Sequence, residues 1–171
     1  MVRIARGHMA FFLLLAGWAL GCSEPQRPVG IRVEVGRLTL DPETRQPVLL
    51  LREVEGARVL PIWIGATEAE SIAARLAGIV PPRPNSHDLA KRLIDRLAGH
   101  VVDVLVNDLR DGIYFARIRL AVGDERVEVD ARPSDAIALA LRYDAPIFVR
   151  ERLFALPQPA APDRQVERLR L

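Results

Sequence analysis

From Ile31 the chain alternates between apolar and polar positions. Ile31, Val33 and Val35 fall on one side of an extended segment, and Leu38 and Leu40 continue in the opposite phase. Side chains of a strand change face at every residue, so a change of phase needs one extra residue, and Gly36 sits where a β-bulge would supply it. Pro47 to Val54 and Arg58 to Ile64 read as two more strands around a Glu55-Gly56 turn. The unbroken Leu49-Leu50-Leu51 predicts burial on both faces. The period then lengthens. Ala69, Ile72, Ala73 and Leu76 make one helical stripe, and Thr67-Glu68-Ala69-Glu70 fits a capping box at its start. The run GIVPPRP, from Gly78 to Pro84, breaks that helix. A second helix is expected from Asn85-Ser86, with Leu89, Leu93 and Leu97 as its apolar stripe and Gly99 as its stop.

The second half opens with a strand from Val101 to Leu109 and a hairpin turn at Asp111-Gly112. Tyr114, Ala116, Ile118, Leu120 and Val122 then alternate cleanly. After a turn at Gly123-Asp124, Val127 and Val129 oppose Arg126, Glu128 and Asp130. Pro133 suits the first turn of a helix running to Arg142, because its ring fixes φ and it lacks an N–H. A short strand from Pro146 to Val149 follows. Strands in blocks with helices between them predict an α+β fold. The expected unit is a single domain over residues 31–156, a mixed, largely antiparallel sheet with about three helices.

The ends of the chain read differently. Arg3, Arg6 and His8 precede an apolar run from Met9 to Leu20. That run is shorter than the roughly 20 residues a membrane-spanning helix needs. Ala19-Leu20-Gly21-Cys22 then matches a lipobox, with a small Gly21 before the cysteine and Ala19 where an aliphatic residue is usual. Residues 1–21 are thus expected to be a lipoprotein-type signal peptide, 22–30 a tether, and the Pro/Ala-rich 157–171 a disordered tail. Cys22 is the one cysteine of the chain, so it forms no internal disulfide, and lipidation accounts for it. The expected location is exported and lipid-anchored to a bacterial membrane, on its periplasmic or cell-surface side. Processing also changes the charge. Removing residues 1–21 takes away Arg3 and Arg6 and no acid, leaving 22 basic residues against 22 acidic ones. A balanced charge argues against a bulk electrostatic grip on nucleic acid.

Three constellations could carry chemistry. Asp130-Ala131-Arg132-Pro133-Ser134-Asp135 places two carboxylates and a guanidinium where a strand hands over to a helix. Such a cluster binds a metal, clamps a phosphate through Arg132, or makes a salt bridge and a helix cap. Arg83-Pro84-Asn85-Ser86-His87-Asp88 puts His87 and Asp88 in the first turn of a helix, whose free N–H groups suit an anion. There His87 is either a general base or metal ligand, or a surface residue beside a dipole-friendly acid. Glu68 flanks the apolar stripe of the first helix. Gly-rich phosphate loops, paired cysteines, HExxH and GxSxG are all absent.

In this order the motifs resemble the bifunctional nuclease family. The matching pieces are Leu60-Pro61-Ile62-Trp63-Ile64-Gly65 with Glu68-Ala69, then Arg83-Pro84 with His87-Asp88-Leu89, then Asp111-Gly112 with Tyr114-Phe115-Ala116. The last is Asp130-Ala131-Arg132-Pro133-Ser134-Asp135 running on to Ala140, followed by Pro146-Ile147. Ser86 stands where the family pattern carries Thr, which keeps the hydroxyl. The resemblance implies an α+β domain, often self-associating, and nuclease activity on DNA and RNA as reported for plant members.

The residues then suggest a metal-assisted phosphodiesterase on a membrane-anchored domain. Glu68, Asp130 and Asp135 would hold a divalent cation, Mg²⁺ or Mn²⁺, through oxygen ligands. His87, oriented by Asp88, would deprotonate water, and Arg132 would stabilise charge on the phosphate. Nucleic acid, the membrane and a second copy of the chain are the expected partners, with no organic cofactor. The rival is a non-enzymatic exported binding or assembly module, favoured by the balanced charge and the expected location. The anchor is directly testable. Cys22→Ser should move the protein from the membrane pellet to the soluble fraction on cell fractionation, and a variant still fully pelleted would refute lipidation there.

Overall fold

The computed structural model describes residues 30–158. The expected signal peptide, Cys22, the expected tether up to residue 29 and the expected tail from residue 159 onward lie outside the described residues. Within them run β1 (Ile31–Leu40), β2 (Pro47–Glu53), β3 (Val59–Trp63), α1 (Ala66–Leu76) and α2 (Ser86–Arg96). Next come β4 (Gly99–Arg110), β5 (Ile113–Val122), β6 (Glu125–Ala131), α3 (Pro133–Tyr143), β7 (Ile147–Val149) and a short 3₁₀ turn at Glu151–Phe154. The fold is α+β, with one mixed, mostly antiparallel seven-stranded sheet in the order β3-β2-β1-β7-β4-β5-β6.

Two antiparallel meanders build this sheet, β1 to β3 and β4 to β6. The three-residue β7 joins them, antiparallel to β1 and parallel to β4. The phase change in β1 is a register shift between Val35 and Arg37, at Gly36 as its alternation predicts. Asp111 and Gly112 both take positive φ, 50° and 76°, as a tight hairpin turn between twisted strands requires.

Helix α3 lies across β4 and β5 and buries Ala136, Ile137, Ala138, Leu139 and Ala140. Its alanines let α1 and the sheet come close. Leu49, Leu51, Leu60, Ile72, Val104, Val106, Ile137 and Val149 are fully buried in the core this makes. In β2, Leu49 and Leu51 point into that core, while Val48 is buried and Leu50 half-buried on the other face.

Two local expectations fail, each for a polar reason. α1 begins at Ala66 with Gly65 as its N-cap and no side-chain cap, so the Thr67–Glu70 capping box is not used. Glu68 instead folds back over Gly65, where a Cβ would come within 2.2 Å of its Oε2, and reaches Arg132. In α2 the stripe Leu89, Leu93 and Leu97 is exposed, and His87, Ala90 and Ile94 face inward. Polar contacts at the start of α2 set its rotation and override the leucines. Val127 and Val129, on the edge strand β6, are likewise exposed.

These placements predict opposite outcomes for two leucines. Leu49→Ala should cost about 2–5 kcal/mol in denaturant unfolding, the usual cost of a core cavity. Leu93→Ala should stay within about 0.5 kcal/mol of the wild type.

Candidate functional site

The start of α2 is closed by a reciprocal cap. Asn85 Oδ1 accepts from the Asp88 N–H at 3.0 Å, and Asp88 Oδ2 accepts from the Asn85 N–H at 3.1 Å. The other Asp88 oxygen accepts from Arg142 Nε of α3 at 2.7 Å. Arg142 is the buried hub of this layer, with only 6% of its side chain exposed. It also donates to the Ala138 carbonyl at 2.9 Å, to Ser71 Oγ of α1 at 3.0 Å and to Asn85 Oδ1 at 3.3 Å. A buried guanidinium must find such acceptors or lose its hydration uncompensated.

Ser71 passes this order on to His87. Its oxygen accepts from Arg142 Nη2 and, at 3.0 Å, from Asn85 Nδ2, which uses both lone pairs. Its own O–H therefore donates to His87 Nδ1 at 2.9 Å. With Nδ1 accepting, the ring carries its hydrogen on Nε2, which donates to Asp135 Oδ1 at 3.1 Å. Asp88 does not orient His87, as the sequence suggested; Ser71 and Asp135 do. Asp88 is taken by Arg142 and the cap.

Asp135 begins a second, outer layer. Arg132 donates to it through Nε at 2.7 Å and Nη2 at 3.0 Å, and Nη2 also reaches Glu68 Oε1 at 2.7 Å. One guanidinium thus serves two carboxylates, leaving the cluster an excess negative charge. Glu68 Oε2 has no hydrogen bond among the described residues, and 16% of the Glu68 side chain remains exposed.

Of the residues picked from the sequence, Glu68, His87, Arg132 and Asp135 converge, and Asp88 joins them through Arg142 and Ser71. Asp130 does not. It lies exposed on β6, in register with Arg117, and gives no hydrogen bond to the network. The Glu68, Asp130 and Asp135 set is therefore not assembled, and no group of three or more His, Cys, Asp or Glu among the described residues is placed to hold a metal ion. Ser71, Asn85 and Arg142 were missed as network members. Spacing carried a signal for two of them. Ser71 lies one turn after Glu68, and Arg142 two turns after Asp135 in an otherwise apolar helix.

Electrostatics follow from these bonds. Burial alone would raise the Asp135 carboxyl, but hydrogen bonds from Arg132 and His87 outweigh it and hold the group below its ordinary value. Burial likewise acts against Asp88, and Arg142 with the Asn85 N–H brings it below its ordinary value. Arg132 is raised by its hydrogen bonds to Asp135 and Glu68.

Comparison with known proteins gives a consistent picture. The profile of the bifunctional nuclease domain matches residues 49–158. An uncharacterized protein of Mycobacterium tuberculosis is 45% identical over 141 residues, 82% of this chain and 80% of that protein. Bifunctional nuclease 1 of Oryza sativa subsp. japonica is 30% identical over 116 residues, 66% of this chain and 35% of that protein. Bifunctional nuclease 1 of Arabidopsis thaliana is 32% identical over 111 residues, 63% of this chain and 34% of that protein.

The buried layer predicts an acid limb. Both carboxyls bind protons less readily folded than unfolded, so their stabilisation is complete above the unfolded value of about 3.9. It is lost as pH falls through the lower folded values. Tm measured from pH 6 to pH 2 should fall less steeply for Asp88→Asn than for the wild type. At pH 7, Arg142→Met should cost about 3 kcal/mol in denaturant unfolding, because it strands Asp88.

Proposed function

The chain belongs to the bifunctional nuclease domain family, and from that premise we propose that it hydrolyses phosphodiester bonds of nucleic acid at the Glu68–Arg132–Asp135 cluster. The observation that carries this reading is that two carboxylates share one guanidinium, with a carboxylate oxygen left unbonded. Mg²⁺ takes one or two protein carboxylates and completes its shell with water and phosphate oxygens, so a cluster of three protein ligands is not required. Glu68 and Asp135 would hold Mg²⁺ or Mn²⁺, and the bound ion would supply charge neutralisation at the phosphate and a more acidic water.

The chain's own residues divide the remaining work. Glu68 Oε2, the unbonded carboxylate oxygen of the pair, is the atom left to meet the ion. Arg132 is placed to swing one N–H toward a phosphate oxygen while the others keep Asp135 in position. His87 is not the base in this arrangement, because Nδ1 faces the buried Ser71 and Nε2 already carries hydrogen. Its role is to position Asp135, and Ser71, Asn85 and Arg142 position His87 in turn. The proposal keeps the lipid anchor at Cys22, which would place the domain at a membrane surface and make an exported nucleic acid its substrate.

A second reading is a binding module without catalysis, favoured by the internal pairing of Arg132 with its own acids. The two separate on one set of samples: labelled single-stranded RNA and DNA incubated with the chain and Mg²⁺ or Mn²⁺, beside Glu68→Gln, Asp135→Asn and His87→Ala. Hydrolysis should disappear in EDTA, fall at least a hundredfold in the two carboxylate variants, and fall less in His87→Ala. A folded wild type that cleaves neither substrate, with a Tm unmoved by either cation, would support the binding module instead.

A further inference from the structure

The two edges of the sheet are built differently. β3 is five residues long, and Pro61 at its middle removes one of its donors and blunts that edge. β6 is seven residues long, contains neither Pro nor Gly, and follows β5 from Glu125 to Ala131 without a register shift. Among the described residues no strand pairs with its outer side, and every residue from Glu125 to Asp130 is exposed. A regular edge of this length presents a row of unmet N–H and C=O groups, which is a template for another strand.

The sequence of β6 is complementary to itself. Antiparallel strands set residues of the same face opposite each other. A twofold axis through Glu128 therefore sets Val127 against Val129 and Arg126 against Asp130, each pair twice. Val127 and Val129 are each 40% exposed, on the helix side of the sheet, in register with Leu120 and Ile118. Arg126 and Asp130 lie on the opposite face, and neither side chain has an ion pair or hydrogen bond among the described residues. Glu128, on the axis itself, is already paired with Arg117 at 2.8 Å. This axis is also the one that pairs the whole strand, Glu125 with Ala131 included.

The helix layer extends the apolar surface. α3 lies between α1 and α2. The flank of α2 toward α3 is polar: Asp88 accepts from Arg142, and the Tyr143 hydroxyl lies 3.0 Å from the Lys91 carbonyl and 2.8 Å from Asp95 Oδ1. Ala90 and Ile94 face the core. The exposed stripe Leu89, Leu93 and Leu97 thus lies on the flank turned away from α3, on the same side of the sheet as Val127 and Val129. A twofold axis normal to the sheet keeps the helices of both copies on one side, so the two stripes would approach each other over the paired strands.

We propose that β6 pairs antiparallel with β6 of a second copy of this chain about Glu128, joining two seven-stranded sheets into one. The pairing gives a place to Asp130, the acid that the Glu68–Arg132–Asp135 cluster leaves aside. It is independent of the phosphodiester reading, and its test needs no turnover.

Sedimentation of the full chain, in a nonionic detergent that covers its apolar N-terminal run, should show a dimer that dissociates on dilution. Arg126→Asp and Asp130→Arg should each raise Kd about tenfold by setting like charges opposite each other, and the double variant should restore it. Val129→Lys should leave a folded monomer. Leu93→Ala, neutral for the unfolding of a single copy, should still weaken the dimer. Register is read separately in a chain carrying Cys22→Ser. There Glu128→Cys should form a disulfide between copies under mild oxidation, because antiparallel partners bring their Cα atoms to within about 5.5 Å, and Arg126→Cys should not. A chain that stays monomeric at every concentration, or a dimer that neither the charge reversals nor Val129→Lys weakens, overturns the proposal. So does an Arg126→Cys chain that cross-links as readily as Glu128→Cys.

Discussion

Every backbone N–H and C=O of an inner strand must find a partner, and at Ile147 to Val149 they find them on both sides at once. β1 accepts the strand antiparallel and β4 accepts it parallel. Without those three residues the sheet would be two separate meanders, each with one face of apolar side chains and no common core. The same short strand also fixes α3. That helix ends at Tyr143 and the chain enters β7 at Ile147, so the helix is held across the seam it precedes. The outer charged cluster stands at the other end of α3, and its place in space is inherited from this pairing.

What β7 does for the sheet, Arg142 does for the helices. Its guanidinium draws one acceptor from α1, two from the cap of α2 and one from α3 itself. The network is directional as well as attractive. Because Ser71 already accepts two hydrogen bonds, only one orientation of its hydroxyl remains, and that orientation fixes which nitrogen of His87 meets Asp135. Order set in a buried layer is carried through one imidazole to a carboxylate near the surface. A hydrophobic contact in the same place would hold the helices together without dictating which atom faces which.

The strands were legible because alternation and turn chemistry are local. Gly36 in β1 and Asp111-Gly112 between β4 and β5 needed only their neighbours to be read. The convergence of His87, Asp135, Arg132 and Glu68 was legible as a set of residue types at strand and helix ends, but the pairing within it was not. Nearness in sequence suggested Asp88 for His87, whereas the partner lies on another helix. Asp130 looked equivalent to Asp135, and the single step from a strand to a helix turned one outward and the other inward. The leucines of α2 show the limit from the other side. Their spacing marks a helix, but the capped, ion-paired end decides how the helix is rotated, and that information sits in Arg142, more than forty residues away.

The place where the N-terminal segment joins the fold has a mechanical meaning. Residues before Gly30 lead straight into β1, which lies third in the sheet, between β2 and β7. At that junction Gly30 is pressed against Val149 and Phe148, where a Cβ would come within 3.0 Å of the Val149 carbonyl. A pull on the N-terminus is therefore directed along an inner strand that is hydrogen-bonded on both sides. It loads those bonds together in shear rather than peeling them one at a time from an edge. A domain tethered by that end would resist extraction with an inner strand, and the far edge of the sheet, β6, would lie farthest from the load.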